Sequence, residues 1–244
     1  MAGGRSRIAG RNPTGRLYLS ASGLFCILAT LFSSYIMRIK MHIELLAILL
    51  LLISPLALGQ GRPEDGAHEL QLWMGGGHAV TGKTSKTSEV GVWNLGLRYG
   101  WIITRPHGPG FLKGRLEYAV DAVPLFLVFQ PANTAYGVGV NPLGLKWNFA
   151  TRGRVVPYLE LGGGTLFTTH EVPTGTSSVN FTSGGALGMH LLGDDHNWSL
   201  ELRYLHISNA GLAVPNPGIN TIQVRVGVGA FRSETRSRGQ RNKP

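Results

Sequence analysis

Cysteine and charge are both scarce in this sequence. A single cysteine among 244 residues excludes a disulfide-bonded scaffold. Charged residues make up only 15% of the chain, against about 25% in average soluble domains, while 43% of the chain is hydrophobic. This combination excludes a disordered protein, which needs low hydrophobicity and high charge. No stretch after residue 60 sustains the apolar period of a helix, and glycine is abundant, so the composition favours an all-β protein.

The net charge of +10 is typical of a nucleic-acid-binding protein, but the charge is concentrated at the two ends of the chain. Residues 1–59 carry +5 and the tail at 232–244 carries +4, whereas residues 60–231 carry only +1. A basic tail of this kind is usually a solvated terminus. We therefore expect no nucleic-acid partner.

A secretory signal peptide is predicted over residues 37–59. A short basic start precedes an apolar run, and the small residues at 57 and 59 form a cleavage site before Gln60. Mature protein should then begin near Gln60 and retain no cysteine, which suits passage through an oxidising periplasm. Residues 1–36 precede this signal and contain a second apolar run. We interpret them as a mis-called or unstructured extension, and the alternative is a genuine inner-membrane anchor.

Between residues 60 and 231, apolar and polar residues alternate with the period of two that is typical of β-strands. Breaks rich in glycine, proline and asparagine separate eight such segments. The segments lie near 68–76, 90–101, 111–122, 136–149, 155–167, 180–192, 198–208 and 220–231. The alternation slips once, near Asn141-Pro142, which indicates a β-bulge.

Each segment has one apolar face and one face that carries the charges. In 198–208, Leu200 and Leu202 share a face, while Glu201 and Arg203 lie on the other. The charge-bearing faces hold six cations and five carboxylates: Arg98, Lys113, Arg115, Lys146, Arg203 and Arg225 against Glu69, Glu117, Asp121, Glu160 and Glu201. Such a balanced set can pair inside a barrel. Eight strands leave an interior that side chains fill, which argues against an open pore.

Two folds place these faces differently. A soluble lipocalin-like carrier encloses the apolar face, whereas a transmembrane barrel turns that face toward lipid. The export signal favours the membrane barrel. Aromatic residues near the segment ends also favour it, as do segments of roughly 9–14 residues, because a tilted membrane strand needs about 9–11. The predicted fold is an all-β, eight-stranded antiparallel transmembrane β-barrel over 60–231, located in the outer membrane.

The predicted topology places both ends of the barrel in the periplasm. Turns at 102–110, 150–154 and 193–197 are then periplasmic, as is the basic tail at 232–244. Longer connections face outward, as such barrels prefer. The outward connections lie at 77–89, around 129–135, 168–179 and 209–219.

Two polar residues depart from the lipid-facing pattern. His206 and Ser208 share the parity of Leu200 and Leu202, and a polar pair on that face is costly unless it has a function. Residues i and i+2 of a strand lie roughly 7 Å apart, so the imidazole can reach the serine hydroxyl and take its proton. The alternative is that the strand end has reached the polar headgroup region, where His and Ser are tolerated.

The sequence around this pair resembles the lipid A 3-O-deacylases, eight-stranded outer-membrane barrels that are grouped with acyloxyacyl-hydrolase-like proteins. The resemblance is concentrated in two stretches, HISNAG at 206–211 and NPGIN at 216–220. It implies that His206 is the general base and that Ser208 is the nucleophile. It also implies that Asn209 and Gly211 help to form the oxyanion hole, whose fixed donors stabilise the charge that develops on an ester oxygen.

One position departs from the family pattern. The family has a glutamate fourteen residues after the histidine, as the acid of the triad, and this chain has Asn220 there. A hairpin between the last two segments places Asn220 roughly opposite His206. Its carbonyl can then orient the imidazole, as in Cys-His-Asn enzymes, but it supplies no charge to stabilise the imidazolium.

The expected function is that of an outer-membrane serine esterase that removes the ester-linked 3-hydroxyacyl chain of lipid A. The resemblance implies His206, Ser208 and Asn220 as catalytic residues, lipid A or lipopolysaccharide as substrate, and no cofactor. The alternative is a non-catalytic barrel that is structural or binds lipid. The sequence Asp194-Asp195-His196 contains metal-binding residue types, but its place in a short turn favours a solvated turn over a metal site.

Overall fold

The computed structural model describes residues 9–11, 17–19, 61–81 and 85–233. Contacts within the chain divide it into two units, 1–53 and 54–244. In the first unit, strands β1 (Ala9–Arg11) and β2 (Leu17–Leu19) pair in antiparallel orientation. The interpretation of residues 1–36 as a mis-called or unstructured extension stays a prediction. The predicted signal peptide at 37–59 lies outside the described residues, as does most of the predicted tail.

In the second unit, eight strands form a closed antiparallel barrel in which each strand pairs with its sequence neighbours. The strands are β3 (His68–Thr81), β4 (Gly91–Ile102), β5 (Gly114–Phe129), β6 (Thr134–Phe149), β7 (Val155–Thr168), β8 (Val179–Leu192), β9 (Asn197–Ser208) and β10 (Ile219–Arg232). Pairing of β10 with β3 closes the barrel. The predicted strand count and antiparallel strand order are thus confirmed, while the placement of the barrel ends in the periplasm stays a prediction. Among the described residues, no helix has the length and apolar character to cross a membrane.

The third predicted segment, 111–122, differs most from the observed strand. Residues Gly110–Leu112 form a 3-10 turn, and β5 runs from Gly114 to Phe129. The register of β5 shifts between Val123 and Phe126, around Pro124. Proline cannot donate to the ladder, so the strand bulges there and its alternation changes phase. Because of this change of phase, the period-two pattern did not reveal the second half of the strand.

The faces of the strands point as the charge pattern predicts. On β9, Leu200 and Leu202 are exposed on the outer surface, while Glu201 and Arg203 are buried in the interior. Other strands expose a similar apolar surface, which includes Leu145, Leu159, Leu161, Leu187, Val224 and Val226. This arrangement is that of a transmembrane barrel. It excludes the lipocalin-like carrier, which would bury the apolar face.

Ion pairs fill the half of the interior that lies nearer the barrel's chain ends. Arg98 donates to both oxygens of Asp121, at 2.8 and 3.0 Å, and to both oxygens of Glu160, at 2.6 and 2.8 Å. Arg203 bonds Glu160 at 2.5 Å and Glu201 at 2.6 Å. A third cation, Lys146, lies between Glu69 and Glu117. Each buried charge in these groups therefore has a partner, which a buried ion needs.

Two of the predicted interior cations lie elsewhere. Lys113 is exposed in the turn before β5, so its predicted interior position is wrong. Arg115 lies at the mouth of the barrel, where it bonds Asp65 at 2.9 Å. Both differences arise because the strand begins at Gly114, three residues later than the predicted start.

The opposite half of the interior contains an apolar core. Its members include Val92, Phe126, Val128, Leu166, Leu205, Ile207 and Ile219. On β9, Leu205 and Ile207 alternate with Tyr204, His206 and Ser208. Because successive side chains of a strand point to opposite faces, burial of the two apolar residues fixes the polar ones on the outer surface.

Candidate active site

His206 and Asn220 face each other across the β9–β10 pair on the outer surface of the barrel. They are register partners, and His206 Nδ1 lies 2.6 Å from Asn220 Oδ1. An amide oxygen only accepts hydrogen bonds, so Nδ1 carries the proton and donates it. The other ring nitrogen, Nε2, then keeps its lone pair. This is the tautomer that a general base requires.

Tyr204 is a further member of this group, and the sequence pattern did not reveal it. Its hydroxyl donates to the same Asn220 oxygen at 2.7 Å. On parity alone, Tyr204 is one more lipid-facing aromatic residue, two positions before His206. The available signal was chemical, because a phenol hydroxyl in apolar surroundings usually has a hydrogen-bond partner.

Ser208 is the last residue of β9 and is half-buried on the same face as His206. Within the described part of the chain, no hydrogen bond joins it to His206. Catalytic hydrogen bonds are often long without substrate and tighten when it binds. The pairing of Ser208 with His206 as nucleophile and base therefore stays a prediction.

A second serine, Ser183 of β8, faces His206 from the opposite side. The two are register partners, and directly opposed residues have β-carbons about 4.5–5.5 Å apart. No motif in the sequence marks this serine. Ser183 lies within a strand that is paired on both sides, whereas Ser208 leads directly into the loop at 209–218. Ser208 thus has loop N–H groups beside it that can turn toward a reacting carbonyl.

The predicted oxyanion-hole residues, Asn209 and Gly211, lie in this loop and hold it together. The Asn209 main-chain N–H donates to Asn216 Oδ1 at 3.2 Å, and the Gly211 N–H donates to Asn209 Oδ1 at 2.8 Å. The Asn209 side-chain amide donates to the carbonyl of Ala213 at 3.2 Å. An oxyanion role for these groups stays a prediction, and it requires a loop bond to open when the charge forms.

Two backbone features shape the loop beside the site. Ala210 has a φ of 52°, in the left-handed region that residues with side chains rarely adopt. Strained residues of this kind cluster at active sites. Gly218 has a φ of 65° and lies against the imidazole, since a Cβ at this position would be 2.7 Å from His206 Cε1. The absence of a side chain at Gly218 therefore leaves room for the imidazole ring of His206.

Among the described residues, no cluster of three or more His, Cys, Asp or Glu side chains could hold a metal ion. Residues 194–196 lie in the exposed turn between β8 and β9, where Asp194 bonds Arg154 at 2.9 Å. Both partners are largely exposed, as expected for a solvated turn.

A family profile matches residues 93–229, more than half of the chain, and its description is lipid A 3-O-deacylase (PagL). The chain belongs to this family. The matched range contains Tyr204, His206, Ser208 and Asn220, and the match confirms the resemblance inferred from the two short stretches. Lipid A 3-O-deacylases are ester hydrolases of the outer membrane. Together with the apolar exterior, membership identifies the protein as an outer-membrane β-barrel.

A solved structure of the family is similar in fold. The outer membrane enzyme PagL matches with a TM-score of 0.51 and 21% identity, and the match covers 64% of this chain and 97% of that one. Neisserial surface protein A matches with a TM-score of 0.42 and 15% identity, over 68% of this chain and 99% of that one. Curated protein sequences gave no match.

Proposed function

We propose that this lipid A 3-O-deacylase family member is a serine esterase that removes the ester-linked 3-hydroxyacyl chain of lipid A. The observation that carries the proposal is the contact between His206 Nδ1 and Asn220 Oδ1, at 2.6 Å, which leaves Nε2 free to take a proton. Polar groups facing lipid are costly, and a barrel with a purely structural role has no need of a hydrogen-bonded histidine there. Family membership supports the reaction class.

In the proposed reaction, Ser208 Oγ attacks the ester carbonyl while His206 Nε2 takes the hydroxyl proton. The imidazolium then gives this proton to the sugar oxygen that leaves, and the acyl chain stays on Ser208. Water hydrolyses this acyl-enzyme by the same route, which releases the 3-hydroxy fatty acid. Asn220 holds Nδ1–H throughout, and N–H groups of the loop at 209–218 stabilise the oxyanion.

The place of the site on the barrel suits a lipid substrate. Exposed apolar side chains surround it, including Phe181, which pairs with Ser208, and Ile222, which pairs with Tyr204. An acyl chain in the bilayer can therefore lie beside Ser208 without leaving the membrane. The site is at the end of the barrel opposite its chain ends, which the predicted topology places at the depth of the outer leaflet.

Mass spectrometry of lipid A tests the proposal. Lipid A from cells that produce the wild-type chain should lose one 3-hydroxyacyl group, and Ser208→Ala should leave lipid A intact. Ser183→Ala is the matched control, because Ser183 also adjoins His206 but lacks neighbouring loop donors. It should retain activity. Western blotting of outer-membrane fractions checks that all three proteins are inserted.

Each other outcome points to a different function or nucleophile. Full activity in Ser208→Ala, with loss of activity in Ser183→Ala, would make Ser183 the nucleophile. Full activity in both variants would remove the serine mechanism. If wild type releases no acyl chain, the non-catalytic structural or lipid-binding barrel becomes the better function.

A further inference from the structure

We infer that Tyr204 is a positioning residue that holds the Asn220 side chain with its oxygen, rather than its nitrogen, facing His206. The inference rests on the proposed function and adds a residue that neither the sequence motif nor the family resemblance assigns. It begins from two hydrogen bonds that meet at one atom. The Tyr204 hydroxyl lies 2.7 Å, and His206 Nδ1 2.6 Å, from Asn220 Oδ1.

The strand register brings these three side chains together. Asn220 opposes His206 across the β9–β10 pair, and Tyr204 opposes Ile222, so Tyr204 is the diagonal neighbour of Asn220. A diagonal neighbour lies within reach of a long aromatic side chain. An amide oxygen has two lone pairs, so both donors can be accommodated at once.

An asparagine in this position must be held in one of its two orientations, whereas a carboxylate needs no such constraint. A carboxylate has an oxygen at each end, whereas an amide has oxygen at one end and NH2 at the other. If the Asn220 amide turned over, its N–H would face Nδ1, which would then have to accept. The ring proton would move to Nε2, and Nε2 could no longer take the proton of Ser208. The end of the amide that faces His206 therefore decides whether the base can work.

Tyr204 stabilises the productive orientation through its hydroxyl. Turning the amide over would reverse both bonds, so that the Tyr204 oxygen would have to accept from the amide N–H. A phenol is a stronger donor than acceptor because its oxygen lone pair is delocalised into the ring, so the reversed bond is weaker. The flanking outward residues Leu202 and Ile222 are apolar and exposed to the membrane side, so water is scarce as a replacement partner. Water therefore does not make up for the weakened bond, and the two bonds to Oδ1 reinforce each other's geometry.

The hydroxyl is removed, with the ring kept, in Tyr204→Phe. In detergent micelles with purified lipid A, we expect kcat to fall about three- to tenfold with KM nearly unchanged, the effect of one neutral hydrogen bond. Tyr118→Phe is the matched control. Tyr118 is also an exposed barrel tyrosine, and its hydroxyl bonds the carbonyl of Pro142, away from the site. This control should keep the wild-type kcat.

Repeating the change in an Asn220→Asp protein separates positioning from a purely structural role. A carboxylate cannot present the wrong end to His206, so Tyr204→Phe should cost less than about twofold in kcat there. An equal loss in both backgrounds would overturn the inference. A change confined to KM would also overturn it, because Tyr204 would then be a substrate contact.

Nitrogen-15 chemical shifts of the His206 ring report the tautomer without turnover. Wild type and Tyr118→Phe should carry the proton on Nδ1, and Tyr204→Phe should show a measurable population with the proton on Nε2. If wild type is inactive but this shift occurs, the proposed function fails while the positioning of His206 by Tyr204 stands. If wild type is active and Tyr204→Phe changes neither kcat nor the tautomer, the inference fails while the proposed function stands.

Discussion

Gly218 packs against the edge of the His206 imidazole, so that a Cβ at position 218 would lie 2.7 Å from ring atom Cε1. The same residue has a φ of 65°, a conformation that favours glycine. The ring and the last turn of the loop therefore fix each other's position immediately before β10 begins.

We expect Gly218→Ala to reduce deacylation by about 10²-fold, because a displacement of about 1 Å at a catalytic group has an effect of that size. The new methyl group would push the imidazole from its place beside Asn220. Gly66→Ala is the matched control, since Gly66 has a φ of 72° but nothing within 4 Å of its ideal Cβ. The deacylation rates of the two variants are measured with equal amounts of folded barrel and compared with that of wild type. Equal losses would assign the effect to backbone strain instead of ring displacement.

The interior ion pairs give a prediction on stability. Arg98→Ala removes a guanidinium that bonds both Asp121 and Glu160, and it leaves Asp121 buried without this cation. Breaking a buried pair costs about 3–5 kcal/mol. Arg154→Ala, which removes an exposed pair with Asp194, should cost about 0–1 kcal/mol. Urea unfolding of the two variants in micelles measures the difference, and similar midpoints would show that the interior network contributes little.

The predicted signal peptide gives a prediction on the mature protein. Sequencing of material from the outer membrane should find a first residue near Gln60. The next residues already contact the barrel: the Arg62 guanidinium donates to the Thr151 carbonyl at 2.6 Å, and the Asn197 amide donates to the Gly61 carbonyl at 3.2 Å. Outer-membrane protein that still carries residues 1–36 would contradict cleavage at this point.

The fold was predictable from the sequence wherever one face of a strand carries charge. Glu201 and Arg203 set the parity of β9, and because no bulge follows them, the same parity carries on to His206 and Ser208. The prediction was poorer where both faces are apolar. Beyond Pro124, β5 changes phase, and apolar residues such as Phe126 and Val128 then fill the interior without any charge to mark the inward face.

The candidate site was predictable only in part, for a related reason. His206 and Asn220 lie near the facing ends of two consecutive strands and share the outward parity, so their rough opposition follows from the sequence. The contacts of Ser183 and Gly218 with the site depend on the register of β8 and on the path of the loop. A single sequence fixes neither of these features. The hydrogen bond from Tyr204 depends in addition on side-chain rotamers.

Asn220 gives the last prediction, because it stands where the family pattern has an acid. Asn220→Ala removes the acceptor of Nδ1–H, so the imidazole loses its tautomer preference and the rate should fall. Asn220→Glu restores an acceptor and adds a negative charge that stabilises the imidazolium. Replacing Asp by Asn in a serine protease triad lowers the rate by about 10⁴, which sets an upper limit for the gain.

The gain from Asn220→Glu should stay below that limit for two reasons. The observed geometry at 2.6 Å already supplies the orienting part of the acid's role, so only the charge is new. A glutamate that took up a proton in these apolar surroundings would supply less charge. Deacylation rates of wild type, Asn220→Ala and Asn220→Glu in the same membranes test whether Asn220 acts as the third member of the triad. A rate in Asn220→Ala equal to that of wild type, with no increase in Asn220→Glu, would show that Asn220 has no part in the triad. Inactivity of all three would instead favour the non-catalytic barrel.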